Sequence, residues 1–462
     1  MTRAWWLALL LVGSACGAAP SGEEADDGDR GSGGATTGEG SGGSKASGGD
    51  APETGGKSSE DGGAASGGSP LGSGGAGANG GAESSGGSPS ASGGESAGGD
   101  AGDTGGSSSG GSPSGGASGG APPGCAPHVP ASRPIGYGRA TTGGGNTEPI
   151  VARSFAEAEA ALAAYRSDFK KGTRSSLVVH YGGKFDFSTI TDVCAQHNKD
   201  SQILQIKEME NVTFRGLSGS SSNFGIKVNR AKNVIIQNMV FGLLPGGGDS
   251  DAITLEGNGT SGDVENVWID HNEFFSSTKD DCPGAGDTEF DGLIDIKKGA
   301  RRITISYNYL HDHQKTGLIG SSDSDDTERY ITFHHNRYEN VVSRTPLQRY
   351  GYTHLFNNYY GKISSSGINV RMGGVALIEA NYFEDAKNPV TSRYSDEPGY
   401  WDLRDNFVGP GITWNTESDT LANADSWETT KVFPASELDY DYDVEPAECV
   451  KASVFATAGA RL

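Results

Sequence analysis

The sequence predicts an all-β protein built as a right-handed, single-stranded parallel β-helix, with a short N-terminal capping helix and a disordered tether ahead of it. Three observations carry this. Short apolar-alternating runs recur along the chain: NVTFRG at 211–216, NVIIQNMVF at 233–241, NVWIDHNEFF at 266–275, RITISYNYLH at 302–311, YITFHHNRYE at 330–339, THLFNNYYG at 353–361 and ALIEANYFE at 376–384. Each couples its alternation to an Asn, and aligning on Asn238, Asn272, Asn308, Asn336, Asn358, Asn381 and Asn406 gives separations of 34, 36, 28, 22, 23 and 25 residues. A basal period near 22 with three enlarged intervals is the signature of a solenoid whose extra residues are extruded as loops. The third observation is a break in composition: 41 of the 74 glycines fall within residues 1–124. That part cannot bury enough apolar surface to offset its ordering entropy, whereas the remainder can build a core.

Three segments follow. Residues 1–16, MTRAWWLALLLVGSAC, place Arg3 ahead of an apolar run and small residues before Cys16. This reads as a secretory signal, too short to span a membrane as a helix. Its end, Gly13-Ser14-Ala15-Cys16, resembles the lipobox of bacterial lipoproteins, which implies lipidation at Cys16 and a secreted protein tethered to the cell surface or outer membrane. Residues 17–124 repeat SGG and GGS with scattered acidic residues and read as a flexible tether with an r.m.s. span of about 60 Å. Residues 125–462 form the folded domain. Within it Ser154-Phe155-Ala156-Glu157 is a capping box opening an Ala-rich stretch to about Tyr165, a helix placed to cover the exposed sheet edges of the solenoid's first coil. The chain after Asn406 is expected to cover the other end.

Charge and cysteine content restrict the partners. With 59 acidic against 36 basic residues and a net charge of −23, neutralisation of nucleic-acid phosphates is disfavoured. An anionic substrate requires a cation or a local basic patch. Setting Cys16 aside, Cys125, Cys194, Cys282 and Cys449 are an even set that allows three pairings, and no CxxC spacing suggests a zinc site. The domain is expected to act as a monomer.

Residues at equal offsets from the repeating Asn are expected to lie above one another, coil on coil, about 4.8 Å apart. Forward counting puts Asp251, Arg349 and Arg371 at +13, Lys315 at +7 and Arg344 at +8; backward from Asn308, Asp295 is at −13 and Asp291 at −17. One groove results, acidic at one end and basic at the other. Asp249, Asp251, Asp291 and Asp295 form a hard-oxygen cluster suited to Ca2+, without which their charges repel. Lys315, Arg344, Arg349 and Arg371 suit a carboxylated polymer lying along the groove. A metal cluster of His311, His313, His334 and His335 is disfavoured, because strand alternation sends His334 and His335 to opposite sides. Trp268 is expected inside a coil.

On these residues the chain resembles the extracellular calcium-dependent pectate lyases. The motifs are Ser222-Asn223-Phe224-Gly225-Ile226, Leu244-Pro245-Gly246-Gly247 leading to Asp249-Ser250-Asp251, Val267-Trp268-Ile269-Asp270-His271, Asp291 to Lys297, Arg344-Thr345-Pro346-Leu347-Gln348-Arg349, Gly367-Ile368-Asn369-Val370-Arg371 and Asn388-Pro389-Val390-Thr391-Ser392-Arg393. The resemblance implies Asp249, Asp251, Asp291 and Asp295 as Ca2+ ligands, with Asp291 standing where relatives often have Glu. It implies Arg344 as the proton-abstracting residue, and Lys315, Arg349 and Arg371 as binders of substrate carboxylates. It also implies a Cys194–Cys282 bridge, which leaves Cys125 for Cys449.

The implied reaction is β-elimination of α-1,4-linked polygalacturonate (pectate), giving 4,5-unsaturated oligogalacturonides. The C5 proton is weakly acidic because the adjacent carboxylate already carries charge, and cations there stabilise the enolate-like transition state. Two alternatives stay open at this point. A β-helical polygalacturonase would use the aspartates as acid and base, and a surface-tethered pectin-binding module would keep the basic groove without turnover.

Overall fold

The computed structural model describes residues 122–246, 250–279, 282 and 290–462. Among them three sheets of ten, eight and nine strands, parallel except for the antiparallel edge strand Thr420–Asn423 of the third, wrap into a right-handed β-helix. The inner coils contribute one strand to each sheet in turn: for example Ala300–Ser306 to the first, Tyr309–Lys315 to the second and Gly317–Ile319 to the third. The inward positions of each strand stack on the same positions of the next coil. In the first sheet Val212, Val234, Val267, Ile303 and Ile331 follow one another in register, all fully buried. In the second, Tyr338, Tyr360 and Phe383 stack ring on ring at 5.1 and 4.7 Å, each contact worth about 0.5–1.5 kcal/mol beyond area burial.

The corner between the first and second sheets explains the Asn period. Asn272, Asn308, Asn336, Asn358 and Asn381 are each fully buried. Each side-chain oxygen accepts from the backbone N–H of the preceding ladder position, as in Asn272 N to Asn308 Oδ1 at 2.9 Å and Asn308 N to Asn336 Oδ1 at 3.0 Å. Each amide nitrogen donates to a carbonyl of the coil before, as Asn308 Nδ2 does to Ile269 O. The residue just ahead of each ladder position adopts the left-handed conformation: His271, Tyr307, His335, Asn357, Ala380 and Asp405 all have φ between 48° and 54°. That conformation costs a non-glycine residue about 1–2 kcal/mol, and the ladder bonds hold it in place. The first coil corrects the sequence alignment. Met239, not Asn238, occupies its ladder position and donates to Asn272 Oδ1 at 3.0 Å, while Asn238 is the left-handed residue, φ 57°, and binds Leu462 instead.

The ends are closed as expected, with differences in detail. A helix spans Phe155–Lys170, running five residues past Tyr165. Glu157 N donates to Ser154 Oγ, but the Glu157 carboxylate reaches back to Arg153 N, one residue before the cap. At the far end Trp414, Ala424 and Trp427 pack on the last coil. Disulfides join Cys125 to Cys449 and Cys194 to Cys282. Trp268 is not inside a coil: Val267 and Ile269 point into the core, and Trp268 lies on the outer face, covered, with its Nε1 donating to Ser306 Oγ at 2.8 Å.

Candidate functional site

The third sheet and the corner leading into it carry the charged groups. Ile253, Ile294 and Gly317 are in register on successive coils. Two residues ahead of them stand Asp251, Gly292 and Lys315, stacked at the corner. Lys315 is paired in register with Ser343, and Arg344 follows directly, with φ 65°. One column therefore runs from carboxylate to ammonium to guanidinium over neighbouring coils.

The acidic end is built around Gly292. Asp251 is 1% exposed; its Oδ2 accepts from Thr254 Oγ1 at 2.8 Å and its Oδ1 from Gly292 N at 3.0 Å. Asp295, on the outward side of strand Ile294–Lys297, is 3% exposed, and its Oδ1 is buried without a hydrogen-bond partner. A Cβ at Gly292 would come within 2.2 Å of Asp295 Oδ1 and 2.9 Å of Asp251 Oδ1, so both oxygens face the space that glycine leaves open. Exposed Asp291 adds a third carboxylate beside it. Burial, then the neighbouring carboxylates, push the Asp251 carboxyl well above its ordinary range, and burial also raises Asp295. These are hard, anionic, incompletely satisfied oxygens around a glycine-sized space, and they fit a Ca2+ ion. Asp249 lies outside the described residues.

Lys297 was missed by the sequence reading. Its Nζ lies 3.0 Å from Asp251 Oδ2 and 3.0 Å from Asp295 Oδ2. Burial alone would lower it, but the charges of Asp295, Asp251 and Asp291 prevail and hold it as an ammonium. The signal was available: Lys297 is two residues beyond Asp295, and strand alternation puts both on one face.

The cations divide. Arg344 is half-buried, and its charge is felt by Asp295 and by the buried ring of His313. Arg349 and Arg371 are register partners, as their equal offset predicts. Asp251, at the same nominal offset, is not level with them. The residues inserted after Asn238 displace it, and Lys297, in register with Glu256, continues the arginine column. Arg349 Nε is 2.6 Å from Asp323 Oδ1. Arg371 is only 2% exposed and sits by the Tyr394 ring, so it contributes its field more than a surface contact. The histidines do not form the four-membered cluster: His311 contacts Glu273 and Asp312, and His313 bonds Ser276. His334 and His335 are nevertheless not on opposite sides. The left-handed turn at His335 breaks the alternation and brings their Nδ1 atoms to 3.0 Å.

Comparison with known proteins identifies the family. The pectate lyase family model matches residues 128–461. Pectate lyase 1 of Pectobacterium carotovorum is 43% identical over 344 residues, covering 70% of this chain and 89% of that one. Among solved structures, pectate lyase II from Xanthomonas campestris pv. campestris is 54% identical with a TM-score of 0.67, covering 71% of this chain and 98% of that one. Pectate lyase C from Erwinia chrysanthemi at pH 9.5 with Ca2+ is 39% identical with a TM-score of 0.65, covering 71% and 96%. A pectate lyase C mutant in complex with pentagalacturonic acid is 38% identical with a TM-score of 0.64 and the same coverage. The chain belongs to the pectate lyase family.

Proposed function

We propose that this pectate lyase cleaves α-1,4-polygalacturonate by calcium-dependent β-elimination, releasing 4,5-unsaturated oligogalacturonides, with Arg344 as base. The observation that carries the reading is the corner column, in which Asp251, Gly292, Lys315 and Arg344 follow one another on successive coils beside Asp295. Asp251, Asp291 and Asp295, with Asp249, would hold Ca2+. Bound there, Ca2+ supplies Lewis-acid withdrawal of charge from a substrate carboxylate.

The chain's own groups do the rest. Lys315 neutralises the carboxylate next to the scissile bond, so the developing enolate meets a fixed positive charge. Arg344 takes the C5 proton. A guanidinium is an unfavourable base in water, with a pKa above about 12, so the reaction requires cations nearby; half-buried Arg344 and Lys315 both act on the His313 ring, and Ca2+ at the carboxylates would add to that field. Arg349 binds a second carboxylate of the polymer, and Lys297 and Arg371 reinforce the field along the strip. The electron pair left at C5 forms the C4–C5 double bond and the 4-linked oxygen departs.

The first 16 residues act as the export signal, Cys16 is lipidated, and residues 17–124 hold the domain, as a monomer, away from the surface. The resemblance of that N-terminus to a lipobox supports this, and it lies outside the described residues.

The test is digestion of polygalacturonate with and without Ca2+, followed by ultraviolet absorbance and chain length. Elimination creates a conjugated double bond. Chain shortening without absorbance would make the protein a hydrolase, and binding without shortening a pectin-binding module. Full activity in excess chelator would remove the role of Ca2+.

A further inference from the structure

The two ends of the folded domain meet on the outside of the first sheet, far along the chain from the acidic cluster. There His128, His335 and Glu445 each bring a ligand atom to within 4.8 Å of the others. His128 is three residues past Cys125 and Glu445 four before Cys449, the two halves of one disulfide. His335 is 4% exposed, and its Nε2 is buried without a hydrogen-bond partner, 3.7 Å from Glu445 Oε1.

Each of the three is oriented by a further group. The Nδ1 of His335 lies 3.0 Å from His334 Nδ1. Nε2 of His128 meets the Tyr307 hydroxyl at 2.9 Å, leaving its Nδ1 on the side of Glu445, 3.8 Å from Oε2. Asn357 pins the backbone of Glu445 twice, at 2.8 and 3.0 Å, and Ser453 donates to its Oε1. Ligand imidazoles held through their second nitrogen, and a ligand carboxylate held by a hydroxyl, are how metal sites set ligand direction. A cleft of about 310 Å³ opens beside the group, bordered by Tyr307, Asp441 and Asp443, with room for solvent.

Stacking alone accounts for part of this: the His128 and His335 rings lie 4.2 Å apart and nearly parallel. It does not account for an unpartnered buried nitrogen aimed at a carboxylate. We propose that His128, His335 and Glu445 form a second metal site, for a zinc-class divalent transition ion, which clips both ends of the domain to the first sheet. Two imidazoles and a carboxylate suit that class rather than Ca2+, which prefers oxygen alone, and three protein ligands leave a position open to the cleft. Bonds of about 2.0–2.2 Å require the donors to draw together. His128, on a terminal segment outside the coils, is the one placed to move.

The experiment uses the full chain saturated with Ca2+, so that the acidic cluster is occupied. Zn2+ is titrated by calorimetry and Co2+ by visible absorption. Expected are one ion per chain, a Co2+ spectrum with nitrogen ligation, and a higher Tm with Zn2+. His128→Gln and Glu445→Gln should each weaken binding by at least about tenfold, with circular dichroism and pectate cleavage unchanged. Should either variant misfold, Tyr307→Phe replaces it and should weaken binding as well. No binding to the parent chain, or affinity unchanged in the variants, overturns the site.

Discussion

Two corners of this β-helix are made the same way and do opposite things. At one, Asn272, Asn308, Asn336, Asn358 and Asn381 stack coil on coil. At the other, Asp251, Gly292 and Lys315 each stand two residues ahead of the register partners Ile253, Ile294 and Gly317, and Arg344 follows the register partner of Lys315. Stacking at about 4.8 Å suits a primary amide, which carries donor and acceptor and can satisfy itself indefinitely. The same spacing cannot satisfy a carboxylate, which only accepts and repels its like. The amide corner is closed and neutral; the charged corner keeps Asp295 Oδ1 unpartnered and its carboxyls pushed upward. A repeat satisfies itself where the stacked group carries both donor and acceptor, and leaves charge uncompensated where it does not.

The sharpest way to break the charged corner is Arg344→Ala. Turnover should fall about 10²- to 10⁴-fold, the range expected for loss of a proton-transfer group, while oligogalacturonate binding and Tm hold near the parent's. Initial rates by absorbance, with binding by calorimetry, check it; near-parental turnover would take the base role from Arg344. The amide corner should respond in the other observable. Asn308→Ala removes the acceptor for Asn272 N and Nδ2 and the donors to Ile269 O and Asn336 Oδ1. Leaving buried groups unpaired should lower unfolding free energy by about 2–3 kcal/mol, read by denaturant titration, with kcat unchanged at temperatures where the variant is folded. Third in size, Asp295→Asn removes one charge from the acidic end. The Ca2+ needed for half-maximal rate should rise at least about tenfold, since loss of an outer-shell partner alone costs that much at a metal site.

The amide corner was more legible in the sequence than the charged one. Asn and an aromatic or apolar run recur at nearly every turn, so the period showed the solenoid directly, and one misalignment, Asn238 for Met239, moved a single coil by one residue. Register across the site was harder, because the coils that hold Asp251 and Asp295 are the enlarged ones, where offset from the ladder no longer measures position. Arg349 and Arg371, on regular coils 22 residues apart, paired as counted. Lys297 escaped because a lysine amid aspartates reads as charge balance until its alternation is followed. His334 and His335 were separated on paper by a period-two rule that does not survive the left-handed residue at the corner.

The smallest effect distinguishes the corners by pH. Asp251 and Asp295 are raised in the folded protein above their unfolded values, so the folded state binds more protons than the unfolded one across that interval. Their contribution to stability is complete below the unfolded pKa and is lost as pH rises through the folded one. In chelator, the parent chain should therefore lose stability from this source between the acidic range and neutrality. The charge of Lys297, which favours both ionised carboxylates, limits that loss. Carboxylates held low elsewhere, such as Glu339 beside Lys362 and Arg337, slope the opposite way, so the quantity to plot is parent minus Asp295→Asn. That difference should fall with pH in chelator and flatten with saturating Ca2+, whereas parent minus Asn308→Ala should stay level under both conditions, because no amide in that corner titrates. A flat first difference would mean that the acidic end is already satisfied by Lys297 alone, and that the two corners differ less than their chemistry implies.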